Sequence, residues 1–401
     1  MRSRKTGAAL ILSLMCLAAF VTASCTSLPV INADGQKTDV PGTHEFNIRT
    51  EEAGYYDISY GHGTESGGER TTGLFIGDHF LTGLSSRKDT VTVYLDKGNN
   101  KVSLRRTEGS GEPYIDSVTV NKSEHKTVMV IAPHEDDEIL AFAGSIMAAA
   151  GRGDTVKVVL MTNGDYFGKE LAEVRIAESA KALEHLGIGK EDIIVMGYGD
   201  VQIGEFYIDG SSDEVRTSHA GLTATSGAPS LGIYDYHLLD KGEHASYTSN
   251  NFRGDLENII RTVRPDEIYT VSEYEWHPDH KYSCLITRDV IKSIQKDTDY
   301  HPVVYQSVVH GEEATWPVRL KTDSSGNPDV ERFTYPFPSG NVPLDWNKAE
   351  RIYLTADMIK TKYDAIGEFV TQNEGTDKFD GNSGFNYAFV KADEFYWPEK
   401  Y

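Results

Sequence analysis

Pro133 to Glu138 read PHEDDE, a histidine followed by four consecutive carboxylates, and a second dense stretch, EWHPDH, runs from Glu275 to His280. Carboxylates this close repel one another unless a cation sits among them or a helix N-terminus lends partial positive charge. Imidazole and carboxylate are donors that zinc takes readily, and a catalytic zinc site keeps three protein ligands with a fourth position open. His134, the acids after it, His277 and His280 therefore form a candidate metal-dependent hydrolytic site. The competing reading of PHEDDE is a solvated acidic turn, although such turns do not ordinarily follow a buried strand with a histidine included.

Both stretches come directly after apolar runs that would position them. TVMVIA (127–132) feeds PHEDDE, and EIYTV (267–271) precedes EWHPDH. VKVVLM (156–161), IIVM (193–196) and VVYQSVV (303–309) have the same near-continuous apolar character, expected of strands buried on both faces. Helical stretches alternate with them: 139–153, 169–187, 255–263 and 280–296. Strands alternating with helices predict an α/β domain, a mostly parallel sheet with helices on both faces. In such sheets ligands gather beyond the carboxyl ends of the strands, where both motifs fall. Neither a GxGxxG nor a GxxxxGK[ST] fingerprint occurs in the chain.

Upstream the pattern changes. Residues 45–122 read as short alternating segments separated by turns, with a hairpin expected around DKGNNK, and predict a small all-β sandwich. Residues 25–44 are polar and turn-rich and read as a linker. Residues 1–24 have a basic start and an apolar run that is short for a membrane span, the layout of a secretory signal peptide. Cysteine arithmetic adds that Cys284 is the only cysteine beyond Cys25, so no intramolecular disulfide is expected in the mature chain. Acidic residues outnumber basic ones by 61 to 39, a formal charge of -22, which disfavours nucleic acid and anionic lipid headgroups as partners.

Three resemblances add to this reading. TASC, ending at Cys25, resembles a bacterial lipobox with threonine in the usual leucine place; it implies lipidation of Cys25 and a cell-membrane lipoprotein outside the cytoplasm, the alternative being free secretion. AGYYDISY, GLFIGD, VTVYLDKGNNKVSL and YIDSVTV are similar to jelly-roll carbohydrate-binding modules, in which Tyr55, Tyr60, Phe80 or Tyr114 would meet sugar or, alternatively, fill the sandwich core. APHEDDE with EWHPDH, supported by TNGD, RIAESAKALEHLG, GYGD, RPDEIYT and the closing VKADEFYW, resembles the PIG-L/LmbE-like N-acetylglucosaminyl deacetylases over residues 126–401.

That last resemblance implies a Rossmann-like fold and one Zn2+ held by His134, Asp137 and His280, with Asp136 as general base. It also implies acetylated sugar or glycan as substrate. His277 is the candidate donor to the oxyanion and the leaving amine, with Asp279 orienting its ring. Arg175 and Asp200 fall where the family contacts sugar hydroxyls, the alternative for Arg175 being an ion pair with Glu178. Glu138 is expected to support the ligands rather than bind the metal. Glu135 and Glu275 depart from the family pattern, standing where relatives carry proline and, in some, tyrosine. The competing functions are hydrolysis of another sugar-conjugate amide, an inactive glycan-binding surface lipoprotein, and a two-metal phosphoesterase. Between Asp200 and Leu256 a long insertion is expected to shape access to the site.

Overall fold

The computed structural model describes residues 27–62, 72–84, 89–106, 113–313, 315–322, 328–373 and 381–401; the expected signal peptide and Cys25 lie outside them. No helix among the described residues is long and apolar enough to cross a membrane.

Among the described residues nine strands come first: β1 (Val30–Asn32), β2 (Thr38–Thr43), β3 (Glu45–Thr50), β4 (Gly54–His62), β5 (Thr72–Ile76), β6 (His79–Leu84), β7 (Thr90–Leu95), β8 (Gly98–Arg106) and β9 (Ile115–Lys122). They form two sheets, ordered β1-β3-β8-β5-β6 and β2-β9-β4-β7. Alternation decides which side chains face inward: in β7 every second residue is buried, through Val91, Val93 and Leu95.

Two expectations fail here. Residues 30–43 are not bare linker, because β1 and β2 pair with β3 and β9 and place Ile31 (0 % exposed) and Val40 (5 %) in the sandwich core. DKGNNK does not close a hairpin: β7 pairs with β4 while β8 pairs with β3 and β5, so the chain crosses between sheets there. The Asn100 side chain holds that corner, with Asp96 N–H donating to its Oδ1 (2.9 Å) and its own amide donating to the Asp96 carbonyl (2.8 Å).

The second part begins with β10 (Thr127–Ala132) and α1 (Asp137–Arg152), followed by β11 (Thr155–Thr162), α2 (Lys169–His185), β12 (Ile193–Tyr198) and α3 (Ile203–Asp209). Next come α4 (Tyr236–Lys241), α5 (Ser249–Val263), β13 (Glu267–Val271), α6 (Pro278–Ile294) and β14 (Val303–Ser307). A short pair, β15 (Lys321–Thr322) and β16 (Pro328–Asp329), precedes β17 (Glu350–Tyr353), α7 (Ala356–Ile366), α8 (Gly381–Tyr387) and β18 (Asp393–Lys400).

The sheet order is β12-β11-β10-β13-β14-β18-β17, parallel from β12 to β14 and antiparallel at β18 and β17. All of β10 and β13 is buried, as strands covered on both faces should be. The chain runs outward from β10 to β12 and then returns to place β13 on the other side of β10. The crevice between β10 and β13 is thus the topological switch point, where ligands bind in open α/β sheets.

Helix α5 starts six residues before the expected Asp255. Thr248 caps it, its Oγ1 accepting from Asn251 N–H (3.1 Å), a start signal that the apolar period alone does not carry. The insertion after Asp200 contains α3, α4 and an isolated bridge between Ala224 and Ser246.

The sandwich is seated on the α/β part, and one continuous apolar cluster includes residues of both. Tyr55 donates its hydroxyl to the Arg264 carbonyl, Phe80 rests edge-on against Tyr236 at 6.5 Å, and Asp240 accepts from Phe80 N–H (2.8 Å). Tyr60 and Phe80 are buried at 7 % exposure, so these two fill core and seam rather than an open sugar-binding face.

Candidate metal and catalytic site

At the end of β10 the chain turns into α1 through PHEDDE, and the spacing sorts the acids. Asp137 and Glu138 enter the first helical turn, while Asp136 occupies the N-cap position with φ 148°, a conformation rare for a non-glycine residue. Of three non-glycine residues with positive φ among the described residues, Asp136 and Val201 flank this crevice. Backbone strain of this kind persists where the surroundings over-determine it, commonly at functional sites.

On the other side of the switch point α6 begins at Pro278. His277 precedes it and His280 lies three residues on, so both rings project from one face of the first turn, their centroids 4.9 Å apart.

Three side-chain atoms from the two motifs converge. His134 Nδ1 and His280 Nε2 are 3.1 Å apart, and Asp137 Oδ2 lies 3.3 Å from the former and 3.2 Å from the latter. Tetrahedral zinc ligands at about 2.0–2.2 Å from the metal stand roughly 3.3–3.5 Å from one another, so this donor triangle fits a single zinc-sized cation. Ligand-type atoms of His134, His277 and His280, and of His134, Asp200 and Asp279, also gather within 4.8 Å. In the last group, however, Asp279 is already committed to backbone amides, accepting from Val201 N–H (2.7 Å) and Ile203 N–H (3.1 Å).

Each imidazole of the triangle is held from behind. His134 turns Nε2 to Asp200 Oδ1 (3.1 Å) and Asp279 Oδ2 (3.2 Å). His280 turns Nδ1 to Glu275 Oε2 (2.8 Å), and Glu275 is itself fixed by Val309 N–H (2.9 Å) and His310 N–H (2.7 Å). Outer carboxylates of this kind set ring orientation and raise ligand basicity.

This arrangement corrects one expectation: Asp279 does not orient His277. Residues two apart on a helix point in different directions, and Asp279 reaches the start of α3 and His134 instead, leaving His277 Nδ1 without a hydrogen-bond partner. Sequence reading also missed Glu275 as the partner of His280, although it lies in the same quoted motif. It missed His310 entirely, whose ring centroid is 4.9 Å from that of His280; the available signal was its place just after the β14 apolar run.

Electrostatically the crevice is short of positive charge. Burial works against ionising Asp137, yet His280 and His134 beside it hold its carboxyl well below the usual range. Burial likewise disfavours a charged His280, but Asp137 and Glu275 draw a proton onto it and push it up to about 10. A divalent cation would supply that same positive charge. Burial, then repulsion from Asp137, lifts Asp136 to about 7, in the range suited to a general base. Burial and the neighbouring charged His134 and His280 lower His277 to about 3, which keeps its ring neutral.

The remaining acids are supports. Glu138 accepts from Asp136 N–H (2.9 Å) and from the Ser179 hydroxyl (2.5 Å), and burial raises it to about 8. Glu135 is wholly buried with neither carboxylate oxygen hydrogen-bonded, its nearest cation being Arg175 Nε at 3.5 Å; burial, partly offset by Arg175, lifts it to about 7. Arg175 donates to the Glu135 carbonyl (3.0 Å) and stands 3.6 Å from Asp200. Its alternative partner Glu178 instead accepts from Thr371 N–H (2.8 Å) and hydroxyl (2.6 Å). Gly164, at φ 65°, permits this packing, since a Cβ there would come within 2.5 Å of Glu135 and 2.7 Å of Arg175.

Residues 129–291, from β10 through most of α6, match the family model described as PIG-L, GlcNAc-PI de-N-acetylase. The chain carries a PIG-L domain. No curated protein matches the chain. Among solved structures, an N,N'-diacetylchitobiose deacetylase from Pyrococcus horikoshii is 17 % identical, with 69 % of this chain and 84 % of that one covered and a TM-score of 0.40. The A40926 pseudoaglycone deacetylase has 17 % identity, 69 % and 97 % coverage and a TM-score of 0.38. A 4-carboxy-2-hydroxymuconate hydratase from Pseudomonas putida has 12 % identity, 69 % and 95 % coverage and a TM-score of 0.39. Likenesses this distant carry no argument about the reaction of the PIG-L domain.

Proposed function

We propose that the protein is an extracytoplasmic zinc-dependent deacetylase that hydrolyses the acetamide of N-acetylglucosamine-type sugars in glycans or glycolipids. The observation that carries the reading is the triangle of His134 Nδ1, Asp137 Oδ2 and His280 Nε2, with sides of 3.1–3.3 Å, beside the strained Asp136. The PIG-L match supports a deacetylase, and the leader with Cys25 supports a lipid-anchored site of action outside the cytoplasm.

His134, Asp137 and His280 would hold the metal, which supplies Lewis acidity and makes a water acidic enough to serve as nucleophile near neutral pH. Asp136 accepts the proton of the attacking water as its oxygen bonds to the acetyl carbon. His277, a neutral ring with an uncommitted Nδ1, donates a hydrogen bond to the carbonyl oxygen as it gains charge. The carbon–nitrogen bond then breaks, the proton held by Asp136 passes to the departing nitrogen, and acetate and a free amino sugar remain. Asp200, 3.1 Å from His134 Nε2, and Arg175, 3.6 Å from Asp200, would meet sugar hydroxyls.

The test is acetate release from N-acetylglucosamine, its oligomers and cell-wall fragments by the zinc-supplemented protein, with Asp136→Ala as control. Release that disappears in the control is expected. No release from any of them, with one metal bound, contradicts the reading and favours another amide or a binding protein.

A further inference from the structure

Exposed aliphatic side chains are scattered over the surface, as is normal, but the bulky exposed aromatics are not. Phe167 is 82 % exposed, Trp276 67 % and Tyr166 36 %; all three stand on loops leaving the carboxyl ends of β11 and β13, the strands on either side of β10. Tyr353, the remaining one among the described residues, lies on β17 at the far edge of the sheet.

The two groups are held firmly while leaving ring surface open. Trp276 has its ring centroid 5.8 Å from that of His277 and 4.9 Å from that of His310, which makes it the wall of the metal crevice on the β13 side. On the β11 side Tyr166 stacks on His219 at 4.6 Å and meets Phe167 edge-on at 4.9 Å, while His219 Nδ1 donates to the Tyr166 carbonyl (2.8 Å). Asp165 ties this second platform to the site by accepting from Asp200 N–H (2.9 Å).

Pyranose rings present faces of C–H groups that stack on aromatic faces while their hydroxyls stay wet, the amphipathic match that aromatic side chains serve in binding sites. A sugar ring at the donor triangle would have Trp276 on its β13 side and Tyr166 and Phe167 on its β11 side. We infer that Trp276 and the Tyr166–Phe167 platform are binding subsites for the sugars on either side of the reacting residue, so that the substrate is an uncharged glycan chain several residues long rather than a free monosaccharide. This rests on the deacetylase reading above. The formal charge of -22 and the acids of the crevice disfavour chains bearing uronic acid or phosphate, and anionic lipid as well.

The experiment measures binding of a β-1,4-linked N-acetylglucosamine tetramer and of free N-acetylglucosamine to the zinc-loaded Asp136→Asn protein by calorimetry. Trp276→Ala, Phe167→Ala and the distant Tyr353→Ala are compared in the same background. The tetramer is expected to bind at least about ten-fold tighter than the monosaccharide, and to lose roughly three- to ten-fold with Trp276→Ala and with Phe167→Ala, as for lost aromatic contacts. Tyr353→Ala should change nothing. Equal affinity for the two sugars overturns the proposal, as does tetramer binding indifferent to both substitutions. Binding of phosphatidylglycerol vesicles that is lost in the same two variants also overturns it, in favour of a membrane surface. In the active protein, equal kcat/KM on monosaccharide and tetramer sinks the subsites and leaves the deacetylase standing; tetramer binding without acetate release does the reverse.

Discussion

Two buried clusters of charge flank helix α1, and they are built on opposite plans. Near its middle, Lys362 of α7 donates to Glu394 Oε1 of β18 (2.7 Å) and to the Leu140 carbonyl (2.7 Å), while the other Glu394 oxygen accepts from Gly144 N–H (2.9 Å) and Tyr396. One cation faces one anion there, and both are hydrogen-bonded. At its N-terminus Arg175 stands within 3.6 Å of Glu135 and Asp200, while Asp137, Glu275 and Asp279 have imidazoles as their cationic neighbours, and both Glu135 oxygens go without a hydrogen bond. Buried charge that serves only the fold is balanced within the chain. Buried acids left to titratable imidazoles or to no partner, at a strand end and beside a strained N-cap, mark a place kept for a cation and a substrate.

The comparison can be broken by substitutions that act on one cluster at a time. The largest effect is expected for Asp136→Asn: acetate release should fall by about 10²–10⁴, the range for a lost general base, with zinc content and thermal stability unchanged. A variant that loses zinc as well would move Asp136 into the ligand set. Lys362→Met should do the converse, destabilising the fold by about 3–5 kcal/mol because Glu394 is left buried and unpaired, without changing zinc affinity; denaturant unfolding and chelator competition together check both halves.

Smaller effects sharpen the contrast. Glu275→Gln should weaken zinc binding by about 10–100-fold, since His280 loses its orienting carboxylate, and competition with a metal indicator dye would reveal an unaltered affinity if Glu275 were merely packed there. The smallest effect at neutral pH belongs to the seam between sandwich and α/β domain. Burial acts to raise Asp240, but hydrogen bonds from His79, Lys241 and Phe80 N–H hold it at about 2. A carboxylate lowered in the folded state stabilises above its unfolded pKa near 4, and that contribution is lost as pH falls toward about 2. Wild type and Asp240→Asn should therefore converge in stability across that window; parallel curves from pH 5 to 2 would show that the seam does not depend on this charge.

Strands were legible wherever burial on both faces made a run uniformly apolar: TVMVIA and EIYTV are β10 and β13 to the residue. The convergence of His134, Asp137 and His280 was legible through resemblance and through their place at two strand ends. What escaped reading depended on contacts far apart in the chain. The sheet-to-sheet crossing at Asn100 looks locally like a hairpin, because alternation does not say which strand is the partner. Asp279 looks like a neighbour of His277, yet helix geometry sends it to α3. His310 carries no motif and joins the site only because β14 lies beside β13. Arg175 was expected near substrate, and its side chain braces Glu135, one of the two acids that depart from the family pattern.

The most direct test of the central claim is metal stoichiometry and affinity for the wild type, Asp136→Asn and Asp137→Asn proteins, measured by elemental analysis and chelator competition. The account predicts one zinc per chain in the wild type, the same in Asp136→Asn, and loss of tight binding in Asp137→Asn. Two tightly bound metals per chain, or equal loss of binding in both variants, would contradict it.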